Sequence, residues 1–219
     1  MLEKWMSPIS FYPAARSDVN LIVELTLGAP DQITTRVGLK LFDLKNLGQA
    51  KRLFAAMAKS NESWRATTMA ESDGNLIGML QSNAPSMAMS ARLATTAVFL
   101  YGPFFMKWLT PRIQLLHKVR TTPPPGSYQI SELHVAPEHR GRGFGKIILE
   151  YAEKEAIEAG YPSISLQTWT VNPAVHLYER AGFKIVETCT DEGFKELAGA
   201  EGNHLMVKGL SPANGTANY

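Results

Sequence analysis

The sequence predicts a mixed α/β sheet flanked by helices, an α+β arrangement, on three observations. Strand-like and helical runs alternate from Tyr128 onward, the pattern of helices packed on a sheet. Two strand-like runs farther upstream are joined by Ser72-Asp73-Gly74-Asn75, and an Asp-Gly pair tolerates the positive φ of a tight hairpin. Hydrophobic residues make up 45% of 219 and charged residues 19%, which is enough apolar surface for one core and too little charge for a disordered polymer.

In chain order, residues 9–12 read as a short strand, and Ser17-Asp18 caps a helix carrying Val19, Ile22, Val23 and Leu25. Residues 46–59 repeat a helical stripe through Leu47, Ala50, Leu53, Phe54 and Met57. The hairpin strands are 64–71 and 76–81. Residues 85–118 read as helical, broken at Gly102-Pro103 and at Pro111, and 121–127 form a Pro-rich connector. Then follow a strand (128–135), a helix (143–159), a strand (163–168), a helix (173–181) and a strand (183–188). A short helix (191–198) and a last strand (204–208) close the pattern, so the chain 1–219 reads as one domain with an inserted segment at about 85–120 and a frayed tail at about 211–219.

Charge and cysteine content narrow the function classes. Lys plus Arg number 22 and Asp plus Glu 20, without the basic excess of a nucleic-acid binder. Cys189 stands alone, so neither an internal disulfide nor a cysteine-based zinc cluster is expected, and the cytoplasm is the default compartment. As a thiol it reads as buried and structural. The five histidines are scattered, and no metal site is expected. The first eight residues lack the pattern of a signal peptide. Residues 93–109 are nearly uncharged, yet they fall short of the roughly 20 apolar residues a membrane span needs and lie between parts of one sheet.

The chemistry concentrates in Val135-Ala136-Pro137-Glu138-His139-Arg140-Gly141-Arg142-Gly143-Phe144-Gly145-Lys146, which joins a strand to a helix. The helix buries Phe144, Ile147, Ile148, Tyr151 and Ala152, with Glu150 and Lys154 spaced to pair on its wet side. Alternate glycines let backbone amides approach a ligand, the helix start offers unpaired N–H groups, and Arg140, Arg142 and Lys146 add cations. Such a turn suits phosphate; tight packing alone is the competing reading. The spacing is Gly-x-Gly-x-Gly, so it is not a dinucleotide fingerprint, and Ile147 after Gly145-Lys146 rules out a P-loop.

Arg140-Gly141-Arg142-Gly143-Phe144-Gly145 resembles the acyl-CoA signature of the GNAT superfamily of N-acetyltransferases: Arg or Gln, two residues, Gly, one residue, then Gly or Ala. Asn172-Pro173-Ala174-Val175-His176-Leu177-Tyr178-Glu179-Arg180-Ala181-Gly182-Phe183 is similar to the family's second signature. The resemblance is firm over residues 128–188, and the inserted segment departs from the short turn usual in the family. It implies a GNAT-type, mostly antiparallel sheet with a helical insertion between the third and fourth strands. It also implies acetyl-CoA as co-substrate, its pyrophosphate on Arg140, Gly141, Arg142, Gly143, Phe144, Gly145 and Lys146 and its pantetheine along Leu133, His134 and Val135.

By the same resemblance Tyr178 is the general acid toward the CoA sulfur and Asn172 a cofactor contact. On spacing alone Tyr178 reads equally as core, within the stripe Ala174, Leu177, Tyr178, Ala181, and Asn172 as a helix cap. Some relatives carry a glutamate base where this chain has Gln167, which cannot accept a proton. Glu132, sharing with His134 the face opposite Leu133 and Val135, is the expected base, with His134 second and a water chain third.

The implied activity is transfer of an acetyl group to a primary amine of a small acceptor. Alternatives are acetylation of a protein N-terminus or lysine, and a non-catalytic acyl-CoA-binding regulatory domain. The inserted segment, with Met87, Met89, Phe99, Tyr101, Phe104 and Trp108, reads as a lid over an apolar acceptor, a homodimer face, a membrane contact or added core.

Overall fold

The hairpin at Asp73-Gly74 seeds the centre of the fold. Both turn residues adopt positive φ, +51° and +75°, and join β2 (Thr67–Ser72) to β3 (Asn75–Ser82) with Ser72 opposite Asn75. The computed structural model describes residues 8–28, 32–84 and 104–211. Among these, β1 (Ser10–Pro13), β2, β3, β4 (Tyr128–Val135), β5 (Ser163–Trp169), β6 (Lys184–Thr190) and β7 (Gly202–Gly209) form one sheet in the order β1-β2-β3-β4-β5-β7-β6. Only β4 and β5 run parallel. The sheet is therefore mixed and mostly antiparallel, as the sequence implied, with the last strand slotted between β5 and β6.

Among the described residues seven α-helices flank it: α1 (Val19–Leu27), α2 (Ile33–Leu41), α3 (Leu47–Ser60), α4 (Phe104–Lys118), α5 (Phe144–Glu158), α6 (Val175–Arg180) and α7 (Glu192–Ala198). On one face α5 and α6 bury Phe144, Ile148, Leu149 and Tyr178 against Tyr128, Ile130, Ile164, Leu166 and Met206. On the other, Ile22 and Leu25 of α1 meet Met69 and Met79, while α2, α4 and α7 close over Val37, Val119 and Phe194. Burying a side chain of this size stabilises by roughly 1.5–3 kcal/mol, so both faces contribute to the fold.

Several elements differ from the sequence reading. Helix α2 is absent from it because Thr34, Thr35, Val37 and Gly38 are poor helix formers; burial of Val37 and Leu41, and a Thr35 hydroxyl donating to Leu27 O, hold it. Residues Ser63–Ala66 form a 3₁₀ turn in place of strand. Pro111 lies inside α4 without ending it; Arg112 braces the turn, its Nη1 donating to Trp108 O at 3.4 Å and its guanidinium 4.0 Å over the Trp108 ring. On α5 the ion pairs are Lys146–Glu150 and Lys154–Glu158 in place of Glu150–Lys154. Cys189 is half-buried on edge strand β6, and burial together with Glu187, 3.5 Å from its Sγ, pushes its pKa up.

Helix α4 stands between β3 and β4, where the insertion was expected. Its Leu109 is buried, Leu115 and Leu116 pack toward α7, and Lys118 pairs with Asp191 at 3.1 Å. The rest of the expected lid, including Met87, Met89, Phe99 and Tyr101, lies outside the described residues, as does the tail beyond residue 211. Among the described residues no helix is long and apolar enough to cross a membrane.

Candidate active site

Strands β4 and β5 pair only at Tyr128–Ile164, Gln129–Ser165 and Ile130–Leu166, and then part. A bulge makes this gap two-faced. Gln81 of β3 opposes Glu132 but Ser82 opposes Ile130, so Ser131 is an extra residue on β4. Its hydroxyl accepts from Ala84 N at 3.2 Å, while Asn83, at φ +48°, brackets Gln129 through hydrogen bonds in both directions. Because strand side chains alternate faces, the extra residue switches parity. Tyr128 and Ile130 face α5, and so do Leu133 and Val135 beyond the bulge, leaving Glu132 and His134 on the opposite face.

Those two side chains meet there, His134 Nε2 to Glu132 Oε2 at 2.8 Å, both partly buried. From the α5 side, α6 brings Tyr178 to the gap. The Tyr178 side chain is buried in the apolar cluster, its ring 6.1 Å from that of Phe183, and its hydroxyl makes no hydrogen bond with a described residue. Burial, with a smaller contribution from the negative charge of Glu132, pushes its pKa up to about 12.

The glycine loop leaves β4 at Ala136 and reaches α5 through Gly141 and Gly143, at φ +72° and +88°. A Cβ on either would meet no atom within 4 Å, so their glycines serve the backbone turn and an open surface rather than internal packing. Lys146 N and Ile147 N both bond to Gly143 O, and the amides just before them, at the start of the helix, have no intrahelical acceptor. This is a fit for a phosphate group. Gly145 differs: a Cβ there would sit 3.2 Å from Leu177 Cδ2 and 3.7 Å from Val135 Cγ2, so it seats α5 against α6 and β4.

The cations are less free than their spacing suggested. Arg140 Nε donates to Val135 O at 3.1 Å and its guanidinium reaches the Gln32 carboxamide, a neighbour no sequence motif announced. Arg142 lies 5.6 Å from the Phe144 ring centroid, with Nη1 3.5 Å from His139 Nδ1, and Lys146 reaches Glu150 at 3.5 Å. Asn172 is engaged on both sides, Nδ2 donating to Thr168 Oγ1 at 2.9 Å and Oδ1 accepting from Ala174 N at 3.0 Å. Its side chain fastens the turn into α6. Gln167, in the gap on the face of Glu132, donates from Nε2 to Thr121 O at 3.1 Å; that bond to the connector was not legible in the sequence.

Comparison with known proteins fits this geometry. Streptothricin acetyltransferase of Streptomyces lavendulae is 35% identical over 82 residues, 37% of this chain and 42% of that protein. The chain spans about two fifths of the length of the curated relatives it matches. Among solved structures, an N-acetyltransferase of Staphylococcus aureus Mu50 superposes with a TM-score of 0.61 at 15% identity, covering 91% of this chain and all of the other. The PaiA N-acetyltransferase of Thermoplasma acidophilum, solved in complex with coenzyme A, does so at 0.50 and 15%, covering 92% and 99%. At such identities these two speak for the fold. The acetyltransferase (GNAT) family model matches residues 42–183, more than half of the chain and inclusive of both signatures, so the chain belongs to that family.

Proposed function

We propose that the chain, as one domain with an inserted segment near residues 85–120, is an N-acetyltransferase that moves an acetyl group from acetyl-CoA to a primary amine. The observation that carries this reading is the gap between β4 and β5, with Tyr178 reaching it from one face and the Glu132–His134 pair from the other. The glycine loop beside it takes the pyrophosphate on its backbone amides. Leu133, His134 and Val135 supply the strand edge for the pantetheine.

The amine, with a pKa near 10, arrives protonated and must lose a proton before its lone pair attacks the thioester carbonyl. Glu132 accepts that proton while His134 holds the carboxylate in place. A C–N bond forms, the C–S bond breaks, the nitrogen sheds its second proton to the departing sulfur, and the Tyr178 hydroxyl donates a hydrogen bond to that sulfur as charge develops on it. A departing thiolate, whose thiol has a pKa near 8.5, does not readily strip a phenol held at about 12. Neutralising Glu132 relieves one of the two causes of that elevation, so the first proton transfer prepares that hydrogen bond.

The test is thiol release from acetyl-CoA with a panel of amines that includes streptothricin, beside calorimetric binding of CoA. Turnover supports the enzyme. Tight CoA binding with no turnover on any amine or peptide instead supports a regulatory acyl-CoA-binding domain.

A further inference from the structure

On the face of the sheet that carries Glu132, a groove of about 320 Å³ runs from the end of α4 to the gap between β4 and β5, lined by His117, Arg120, Thr121, Gln129 and Gln167 together with Thr122 and Pro123. None of its lining residues is acidic. Lys118 next door is held by Asp191, whereas among the described residues neither the Arg120 guanidinium nor the His117 imidazole has an ion-pair partner. At the other end, Gln167 spends its Nε2 on Thr121 O; its Oε1 accepts no hydrogen bond among the described residues and remains an acceptor beside the place where the strands part. Behind the wall, the buried Thr121 hydroxyl has no hydrogen-bond partner among the described residues.

A groove with a cation at its outer end and a carbonyl-type acceptor at its inner end suits a molecule of opposite polarity: an anion outside, an ammonium inside. We infer that this groove is the acceptor subsite and that it selects primary amines carrying an anionic group, a carboxylate or a phosphate, bound by Arg120 with the amine directed past Gln167 toward Glu132. This inference rests on the acetyl-transfer reading above and names its substrate class. It differs from the apolar acceptor expected from the composition of the inserted segment, most of whose aromatic residues lie outside the described residues.

The test compares matched amines with and without the acid, lysine against cadaverine and O-phosphoethanolamine against ethanolamine, by calorimetry on the full chain with thiol release measured in parallel. In the wild type the acid-bearing member of at least one pair binds about tenfold or more tightly than its partner, the worth of one charge-assisted contact. The pair that shows the preference tells carboxylate from phosphate. In Arg120→Ala the preference disappears while acetyl-CoA affinity is unchanged, and in Arg120→Glu it inverts. Equal binding within both pairs, or a preference that survives both substitutions, overturns the groove assignment. If the preference is present and Arg120-dependent but no thiol is released, the groove stands as an amino-acid or phosphoamine site and the acetyl-transfer reading falls.

Discussion

Tyr178 occupies two environments at once, its ring among Phe183, Ile148 and Leu166 and its hydroxyl within reach of the charge on Glu132. Its core stripe was legible from spacing; its nearness to Glu132 was not, because that depends on where β4 and β5 part. Tyr178→Phe should lower turnover about 10²–10⁴-fold and leave the midpoint of urea unfolding below pH 10 unchanged. Above pH 10 the two proteins should diverge. A pKa raised by folding means the phenol's contribution to stability is complete below its unfolded value of 10.0 and is lost as pH climbs toward about 12. Wild type should therefore weaken across that window relative to Tyr178→Phe. Glu132→Gln should flatten the limb of the pH–rate profile on which turnover rises with pH; a limb retained at full height assigns the base elsewhere. For Asn172 the sequence offered cofactor contact or cap; its side chain bonds Thr168 and Ala174 in the turn ahead of α6, whose N-cap is Ala174.

At the level of the element, the three alternate glycines look equivalent in the sequence and are not equivalent in space. Gly143→Val forces a branched side chain into left-handed backbone, at roughly 1–2 kcal/mol, and sets a Cβ on the surface proposed for phosphate. CoA affinity measured by calorimetry should fall at least tenfold. Gly145→Ala meets only the side-chain ends of Leu177 and Val135 and should leave affinity within about twofold. Gly78 makes a sharper case, since a Cβ there would collide with the backbone of His134 across the ladder. Gly78→Ala should cost about 1–3 kcal/mol in chemical unfolding and loosen β4 with it. Amphipathic α3 and α5 were legible because periodicity alone defines them; α2 and the unbroken α4 were not, because tertiary packing overrides weak propensity in one and an internal proline in the other.

For the whole molecule, ligand linkage gives a direct check. Acetyl-CoA at 100 times its dissociation constant should stabilise the fold by about 2.7 kcal/mol, which for a domain of this size raises Tm by roughly 5–11 °C; a tenfold weaker Gly143→Val variant should cut that shift to about half or less at the same concentration. The order of strands in sequence, the hairpin and the strand-to-helix glycine turn were all readable from local chemistry. The position of β7 between β5 and β6 was not, since edge strand β6, with Ile185 and Val186 exposed, carries no local mark of which neighbour it takes. The extra residue at Ser131 matters here in a different currency, that of length. Point substitutions along β4 alter one side chain each, whereas deleting the codon for Ser131 removes the extra residue, and strict alternation then preserves every face after it. Leu133 and Val135 would stay under α5 and Glu132 and His134 on the opposite face, while one residue inserted beside Ser131 would exchange both pairs. Libraries of single-residue insertions and deletions should therefore find β4 tolerant of a deletion at this one place and intolerant of an insertion there.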